Sequence, residues 1–406
     1  MARFFQASAA HSRRPSLLVF EYNPTRHFAQ QVLKKRKRAY RLVRCSPRRA
    51  EILGTLVRRG AIWFDPFASQ PELAETDDAF EFGARFRLDV RGIDAFPTLA
   101  PFLADTLTSY ASFIRLNVPV VNKMLGQFKV RAVFAPFEIP PVPRLVMLCA
   151  RHRNIPTFRT TDGFPGFDRE AYGRNAAIAE HYLAWSEHTK RLGDGRAAHS
   201  QGSVTGNPAL ANRDRSQGAW PTTLATPLRV LLNPISSGGQ GNRSFGEDMF
   251  LEVLSGLQAS GRATAIVCKP HPADSIDRYR ALTPLSIEFH EAGPIDKYFN
   301  QTDVFITCPS TSLFEALLAG LPVVLTMPWQ ASVAAGLPWD GDEWLERRTA
   351  RTAADLSRLL NDNSTLFEPP PAGWLEHYIG PTDSSAADRI LTQIQRYSPS
   401  LVDRTP

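Results

Sequence analysis

Residues 303–329 read DVFITCPSTSLFEALLAGLPVVLTMPW, and upstream of them residues 269–272 read KPHP. The apolar run Asp303–Thr307 predicts a strand, and the polar turn Pro309-Ser310-Thr311-Ser312 predicts the start of a helix. Leu313–Ala319 continues that helix, Gly320 closes it, and Pro322–Leu325 begins another strand. Val267-Cys268-Lys269 ends an earlier apolar strand. Pro270 and Pro272 forbid a helix there, so His271 is expected at that strand's carboxyl edge. In an open α/β sheet ligands bind in the crevice beyond the carboxyl ends of the strands. A hydroxyl-rich turn opening a helix offers unpaired N–H groups and the positive end of a dipole, both suited to phosphate. With the His271 imidazole beside it, the turn reads as a cradle for a nucleotide mono- or diphosphate. A purely structural reading stands beside this one. Ser-Thr-Ser also serves as an N-cap, Ser312 with Glu315 makes a capping box, and a histidine between prolines is often a packing residue.

Composition narrows the class. A chain of 406 residues is long for one core and suggests two domains. Apolar residues at 43% and charged residues at 21% are those of a soluble globular protein. No stretch has the apolar length of a transmembrane helix, and Leu17–Phe20 is too short for a signal peptide's core. The scattered Cys45, Cys149, Cys268 and Cys308 show no metal or disulfide spacing, as expected of a reducing cytoplasm. The net charge of +7 concentrates early, in Lys34-Lys35-Arg36-Lys37-Arg38 with Arg41, Arg44, Arg48 and Arg49. This basic region, 34–49, reads as part of a helix from about Phe28. It is either a solvated face or a contact for an anionic membrane surface or glycan. The run Lys34–Arg38 has no interleaved aromatic, and no recognisable binding module surrounds it, which argues against nucleic acid.

Strands alternate with helices in both halves. Leu17–Tyr22, Ala61–Phe64, Ala132–Ala135, Thr157–Thr160, Tyr182–Trp185 and Gln201–Thr205 read as strands of the first half. Helices are expected over Pro97–Phe113, Val118–Phe128 and Pro143–Arg153. The second half restarts with a strand at Leu228–Leu232 and a helix from about Gly246 to Ser260, and ends with an amphipathic helix, Ser385–Tyr397. The pattern predicts an α/β chain of two Rossmann-like, doubly wound domains facing across a cleft. The expected division is an acceptor-side domain over 1–210, a linker over 211–226, a nucleotide-sugar-binding domain over 227–372, and a crossover segment and tail over 373–406.

This arrangement resembles the GT-B glycosyltransferases. Ser203–Pro208 is similar to the segment closing their N-terminal domain. Ser312, Glu315, Ala316, Gly320 and Pro322 resemble their donor-side S-x-x-E-A-x-x-x-G-x-P pattern, and Tyr378-Ile379-Gly380 resembles the final segment that crosses back. Asp162-Gly163-Phe164 and His271-Pro272 resemble the D-G-F and H-P motifs of capsular-polysaccharide transferases that use CMP-activated sugars such as CMP-Kdo. Thr161 stands where those enzymes have an acidic residue, and Pro165-Gly166 follows where they have arginine. The chain also resembles the glycerophosphotransferases of teichoic-acid synthesis in its H-P and S-x-x-E-A features.

The resemblance implies a nucleotide-sugar donor as co-substrate, a surface glycan or lipid-linked glycan acceptor, and a cytoplasmic enzyme, peripheral at the membrane's inner face. His271 would stabilise the departing phosphate, with Lys269, Pro272 and the Ser310, Thr311 and Ser312 turn beside it. Glu315 would accept hydrogen bonds from ribose hydroxyls. Asp162 either acts as the general base or forms an Asx turn before Gly163, and Glu138 is the reserve base. The loop holding Gly238 and Gly239 would bring backbone near the donor phosphates. No metal-ligand constellation is evident in the sequence, so neither metal nor cofactor is expected. Two other readings compete: a nucleotide-sugar 2-epimerase, and a non-catalytic nucleotide- or polymer-binding scaffold.

Overall fold

The computed structural model describes residues 15–20, 23–34, 41–45, 62–64, 89–90, 93–94, 96–136, 141–161, 163, 178–194, 201–210, 220–221, 227–234, 243–270, 275–283, 285–290, 293–308, 310–326 and 341–401. The N-terminal half forms β1 (Ser16–Phe20), β2 (Arg41–Cys45), β3 (Ile62–Phe64), β6 (Val130–Ala135), β7 (Thr157–Arg159), β8 (His181–Ala184) and β9 (Gln201–Val204). They make one seven-stranded parallel sheet in the order β3-β2-β1-β6-β7-β8-β9. Between β3 and β6, β4 (Asp89–Val90) and β5 (Ile93–Asp94) pair antiparallel on their own. The C-terminal half forms β10 (Leu228–Asn233), β11 (Ala263–Cys268), β12 (Ile287–Phe289), β13 (Val304–Thr307), β14 (Val323–Thr326) and β15 (Thr349–Ala350). Their order is β12-β11-β10-β13-β14-β15, again wholly parallel.

Both sheets are covered on both faces, which is why their central strands are continuous apolar runs rather than alternations. In β1 all five residues are buried. Leu18 and Phe20 join Val133, Ala135 and the helices Phe96–Gln127 and Pro141–His152. Leu17 and Val19 join Phe134 and Phe158 on the other face, under Phe28, Ala29 and Val32 of the helix Asn23–Lys34. That same face receives Ala387, Ile390 and Ile394 of the helix Ala386–Tyr397, so the chain's last helix returns to the N-terminal sheet. In each sheet the strand sequence reverses direction once, between β1 and β6 and between β10 and β13. Such reversals open a crevice at the carboxyl ends of the two strands.

The two halves lock together through a buried junction. Trp185, at the end of β8, is buried in the C-terminal core with Phe314, Trp374, Tyr378 and Ile379. Ser186 Oγ donates to the Tyr378 carbonyl at 2.9 Å. Gly380, with φ of 71°, turns the chain there, and a Cβ on it would stand 1.8 Å from the Trp185 carbonyl oxygen. Arg389 Nε then donates to the Thr205 carbonyl at 2.9 Å.

Three expectations change. The helices expected over Pro97–Phe113 and Val118–Phe128 are one helix of 32 residues, Phe96–Gln127, which runs through Pro119. An interior proline costs about 3 kcal/mol. Burying Val121, Met124 and Leu125 on one cluster returns roughly 1.5–3 kcal/mol each, so packing wins. The basic stretch is not one helix: the helix stops at Lys34, and Arg41 and Arg44 belong to strand β2. Arg41 is half-buried, its Nη2 lies 3.4 Å from the Phe128 carbonyl, and burial lowers its pKa. The supposed capping box of Ser312 and Glu315 is absent, because Ser310 is the N-cap. Residues 35–40, 46–50, 211–219 and 222–226 lie outside the described residues, and with them the rest of the basic region and most of the expected linker. Among the described residues no helix is long and apolar enough to cross a membrane.

Gly380 gives a direct test of the junction. Gly380→Ala forces a side chain into backbone at a positive φ, so a loss of about 3 kcal/mol or more is expected. Ser186→Ala, which removes one hydrogen bond, should cost about 1 kcal/mol. Urea unfolding of both variants checks the order; equal midpoints would show that the crossing is not the tight contact described.

Candidate functional site

The site is built where β10 and β13 part. Asn233 ends β10, Thr307 ends β13, and Lys269 follows β11 immediately. The Asn233 side chain joins them. Its Nδ2 donates to the Lys269 carbonyl at 2.8 Å, and its Oδ1 lies 3.3 Å from both Thr307 Oγ1 and Ser312 Oγ. The Lys269 amide in turn donates to the Leu232 carbonyl at 2.9 Å, extending the ladder one residue past the strand.

Ser312 belongs to the helix Thr311–Leu318. The sequence starts this helix because Ser310, in extended backbone at φ −154°, accepts from the Ser312 amide at 3.1 Å. Its apolar face buries Leu313, Phe314, Ala316, Leu317 and Leu318. It ends in a Schellman turn. Gly320 at φ 75° donates to Leu317, and Leu321 donates back to Ala316. The helix is therefore pinned at both ends, with its amino end at the crevice. Ser310 Oγ and Ser312 Oγ are in direct hydrogen-bonding contact. Glu315 is half-buried on the helix.

Lys269 is 4% exposed. Among the described residues no carboxylate or other acceptor engages its ammonium. Burial alone lowers its pKa from the ordinary lysine value. The linkage sign follows: the charged form is penalised in the folded state, so the fold bears this cost wherever lysine is ionised, including neutral pH. A buried cation lacking a counter-ion is most simply completed by an anion.

The opposite lobe comes close. After β7 the chain runs through Thr160 and Thr161, at 2% and 4% exposure, whose hydroxyls are buried without a hydrogen-bond partner. At Gly163 an added Cβ would stand 3.3 Å from Thr311 Oγ1. Gly163 of the N-terminal lobe thus stands against Thr311, at the amino end of the helix Thr311–Leu318, and a side chain there would crowd the Thr311 hydroxyl.

Of the residues singled out from sequence, the structure brings Lys269, Ser310 and Ser312 into one hydrogen-bonded neighbourhood and sets Thr311 at the interlobe approach. Asp162, His271, Pro272, Glu138, Gly238 and Gly239 lie outside the described residues. Their neighbours Thr161, Gly163, Lys269 and Pro270 are described. Among the described residues no group of three or more His, Cys, Asp and Glu side chains is placed to hold a metal ion. Sequence reasoning missed Asn233. Its signal was a lone polar residue closing the apolar run Leu228–Leu232 just before Pro234.

No family model and no curated protein matches the chain. Solved structures match in fold. An S. aureus MnaA–UDP co-structure aligns with a TM-score of 0.56 at 12% identity, over 96% of this chain and 98% of that one. The wall teichoic acid polymerase TagF, in a variant soaked with CDPG, aligns at 0.53 and 10% identity over 99% and 93%. MurG from Acinetobacter baumannii aligns at 0.52 and 13% identity over 94% and 99%. At these identities the likeness is one of fold, and the chain has the two-lobed α/β fold of the GT-B type.

Proposed function

We propose that the chain is a nucleotide-dependent transferase that moves a sugar from an activated donor to a glycan or glycolipid acceptor, with a CMP-ulosonic acid such as CMP-Kdo as the favoured donor. The observation that carries this reading is the buried residue Lys269 directly after β11, whose carbonyl is joined through the Asn233 side chain to Ser312 at the pinned amino end of the helix Thr311–Leu318. In this reaction an acceptor hydroxyl gives its proton to the Asp162 carboxylate, with Glu138 as reserve base. The hydroxyl oxygen then bonds to the anomeric carbon. The bond from that carbon to the donor phosphate breaks, and the nucleotide leaves with the electron pair. Lys269 and His271 stabilise the charge arriving on the phosphate, and the helix dipole of Thr311–Leu318 adds to them. Pro272 holds the backbone beyond His271, Glu315 takes the ribose hydroxyls, and the loop with Gly238 and Gly239 approaches the phosphates by backbone. The basic region 34–49 would hold the enzyme to an anionic membrane surface on the cytoplasmic side, next to a lipid-linked acceptor.

A second reading is favoured by the likeness to the CDPG-soaked polymerase: a CDP-glycerol-type glycerophosphotransferase. There the acceptor oxygen attacks phosphorus instead of carbon, and CMP again departs. Both readings ask the C-terminal lobe to bind a leaving nucleotide phosphate. Product analysis separates them, since only the second leaves phosphate in the acceptor. A third, nucleotide-sugar epimerase reading would consume donor with no acceptor present.

Two measurements bear on this proposal. Thermal shift of the full chain with CMP, CDP, UDP and GDP should show selective stabilisation by a cytidine nucleotide. At a hundred times Kd the gain is about 2.7 kcal/mol. Lys269→Met should bind that nucleotide roughly ten- to a hundredfold more weakly, the worth of one charge-assisted hydrogen bond. The unliganded Met variant should be at least as stable as the wild type, because the buried charge is gone. Unchanged affinity in Lys269→Met would remove the anion site from this crevice. In turnover assays Asp162→Asn should lose about a hundred- to ten-thousandfold in rate while keeping nucleotide affinity, and His271→Ala should also be severely slowed. Wild-type rates in both variants would dismiss the mechanism.

A further inference from the structure

Asn233 does something that no other described side chain at this crevice does: it uses both halves of its amide at once. A carbonyl oxygen can only accept and an amide nitrogen only donate. The Lys269 carbonyl therefore faces Nδ2 at 2.8 Å, and the Ser312 and Thr307 hydroxyls face Oδ1 at 3.3 Å. These contacts reach two different structures. The Lys269 carbonyl is the last point at which the chain is tied to the sheet before it leaves toward Pro270 and beyond. Ser312 is in the first turn of the donor-side helix, whose cap is Ser310. One half-buried side chain thus sets the spacing between the leg that carries the buried ammonium and the helix end that carries the positive dipole.

We infer that Asn233 is the positioning residue of the phosphate site, tying the Lys269 leg to the helix amino end without touching the phosphate itself. The inference rests on the proposed nucleotide site and adds to it the side chain that determines its geometry. Alanine at this position would free both legs while leaving the sheet and its core intact, because the backbone of Asn233 stays in the β10–β13 ladder. Aspartate would be worse. It keeps the size and the acceptor for Ser312, but it turns an acceptor toward the Lys269 carbonyl and sets a negative charge beside the anion.

This ordering is what a packing role does not share. If Asn233 merely filled space, the isosteric Asp would be tolerated better than Ala. The test is isothermal titration of the full-length wild type, Asn233→Ala, Asn233→Ser and Asn233→Asp with CDP and UDP, alongside their unfolding midpoints. The expected result is folded variants with affinity reduced on the order of tenfold in Ala and a hundredfold in Asp. Ser should fall between Ala and the wild type, since its hydroxyl can restore one contact. Aspartate binding as well as the wild type, or better than Ala, overturns the positioning role while leaving the nucleotide site standing. Where Ala does not fold, the comparison of Ser with Asp decides by the same order. A wild type that binds neither nucleotide defeats the site and the inference together.

Discussion

Burying the Lys269 ammonium beside the carboxyl edge of a parallel sheet costs free energy that no described carboxylate returns. Structural proteins rarely keep such a cost, since an apolar side chain of similar length would pack there and stabilise the fold. The rest of the C-terminal lobe is arranged around the same spot. The strand reversal between β10 and β13 opens the crevice, and the helix Thr311–Leu318 points its amino end there. Capping at Ser310 and the Schellman turn at Gly320 hold that helix in place. Among the described residues no carboxylate engages the Lys269 side chain near that helix end.

The second lobe is placed by contacts that include the buried face of the same helix, Leu313 and Phe314. Trp185 is buried in the C-terminal core, and Gly380 passes against its carbonyl so closely that no side chain fits. The final helix then seals the outer face of the N-terminal sheet with Ile390 and Ile394. Gly163 of the N-terminal lobe meets Thr311 at the amino end of the helix Thr311–Leu318, and just before it the Thr160 and Thr161 hydroxyls are buried without a hydrogen-bond partner among the described residues.

Much of this was legible in the chain because its strands are short, apolar and bounded by proline, glycine or polar turns. Asp303–Leu325 read as strand, turn, helix and strand, and it folds that way to within a residue or two. Two features resisted local reading. The stretch Ile114–Asn117 looked like a gap between two helices, with Pro119 in the first turn of the second, but burial of Val121, Met124 and Leu125 outweighs the proline's lost hydrogen bond, and only the tertiary core reveals that balance. The basic stretch looked continuous, yet strand pairing of Arg41–Cys45 with β1 claims part of it. Edge strands as short as Thr349–Ala350 carry too few residues to show any period. In contrast, Thr352-x-x-Asp355 is a complete capping box that opens the helix Ala353–Asn361 and was readable as such. Asn233 escaped because its role lies in partners 36 and 79 positions away.

The cap at Ser310 and the hydroxyls that the anion reading would use belong to one hydrogen-bonded network. Ser310 Oγ accepts from the Ser312 amide and touches Ser312 Oγ, which in turn reaches Asn233 Oδ1. Each hydroxyl has one proton to give. If Ser312 donates to Asn233, Ser310 donates to Ser312, and both protons point inward. If Ser312 donates to Ser310 instead, the Ser310 proton is released to face outward. An anion arriving at the crevice favours the second arrangement, because it accepts that proton. The same hydroxyls can thus cap the helix and offer a proton to an anion, at the expense of the 3.3 Å contact from Ser312 to Asn233. The local sequence that makes the helix begin is therefore also the sequence that lets its first turn answer to charge.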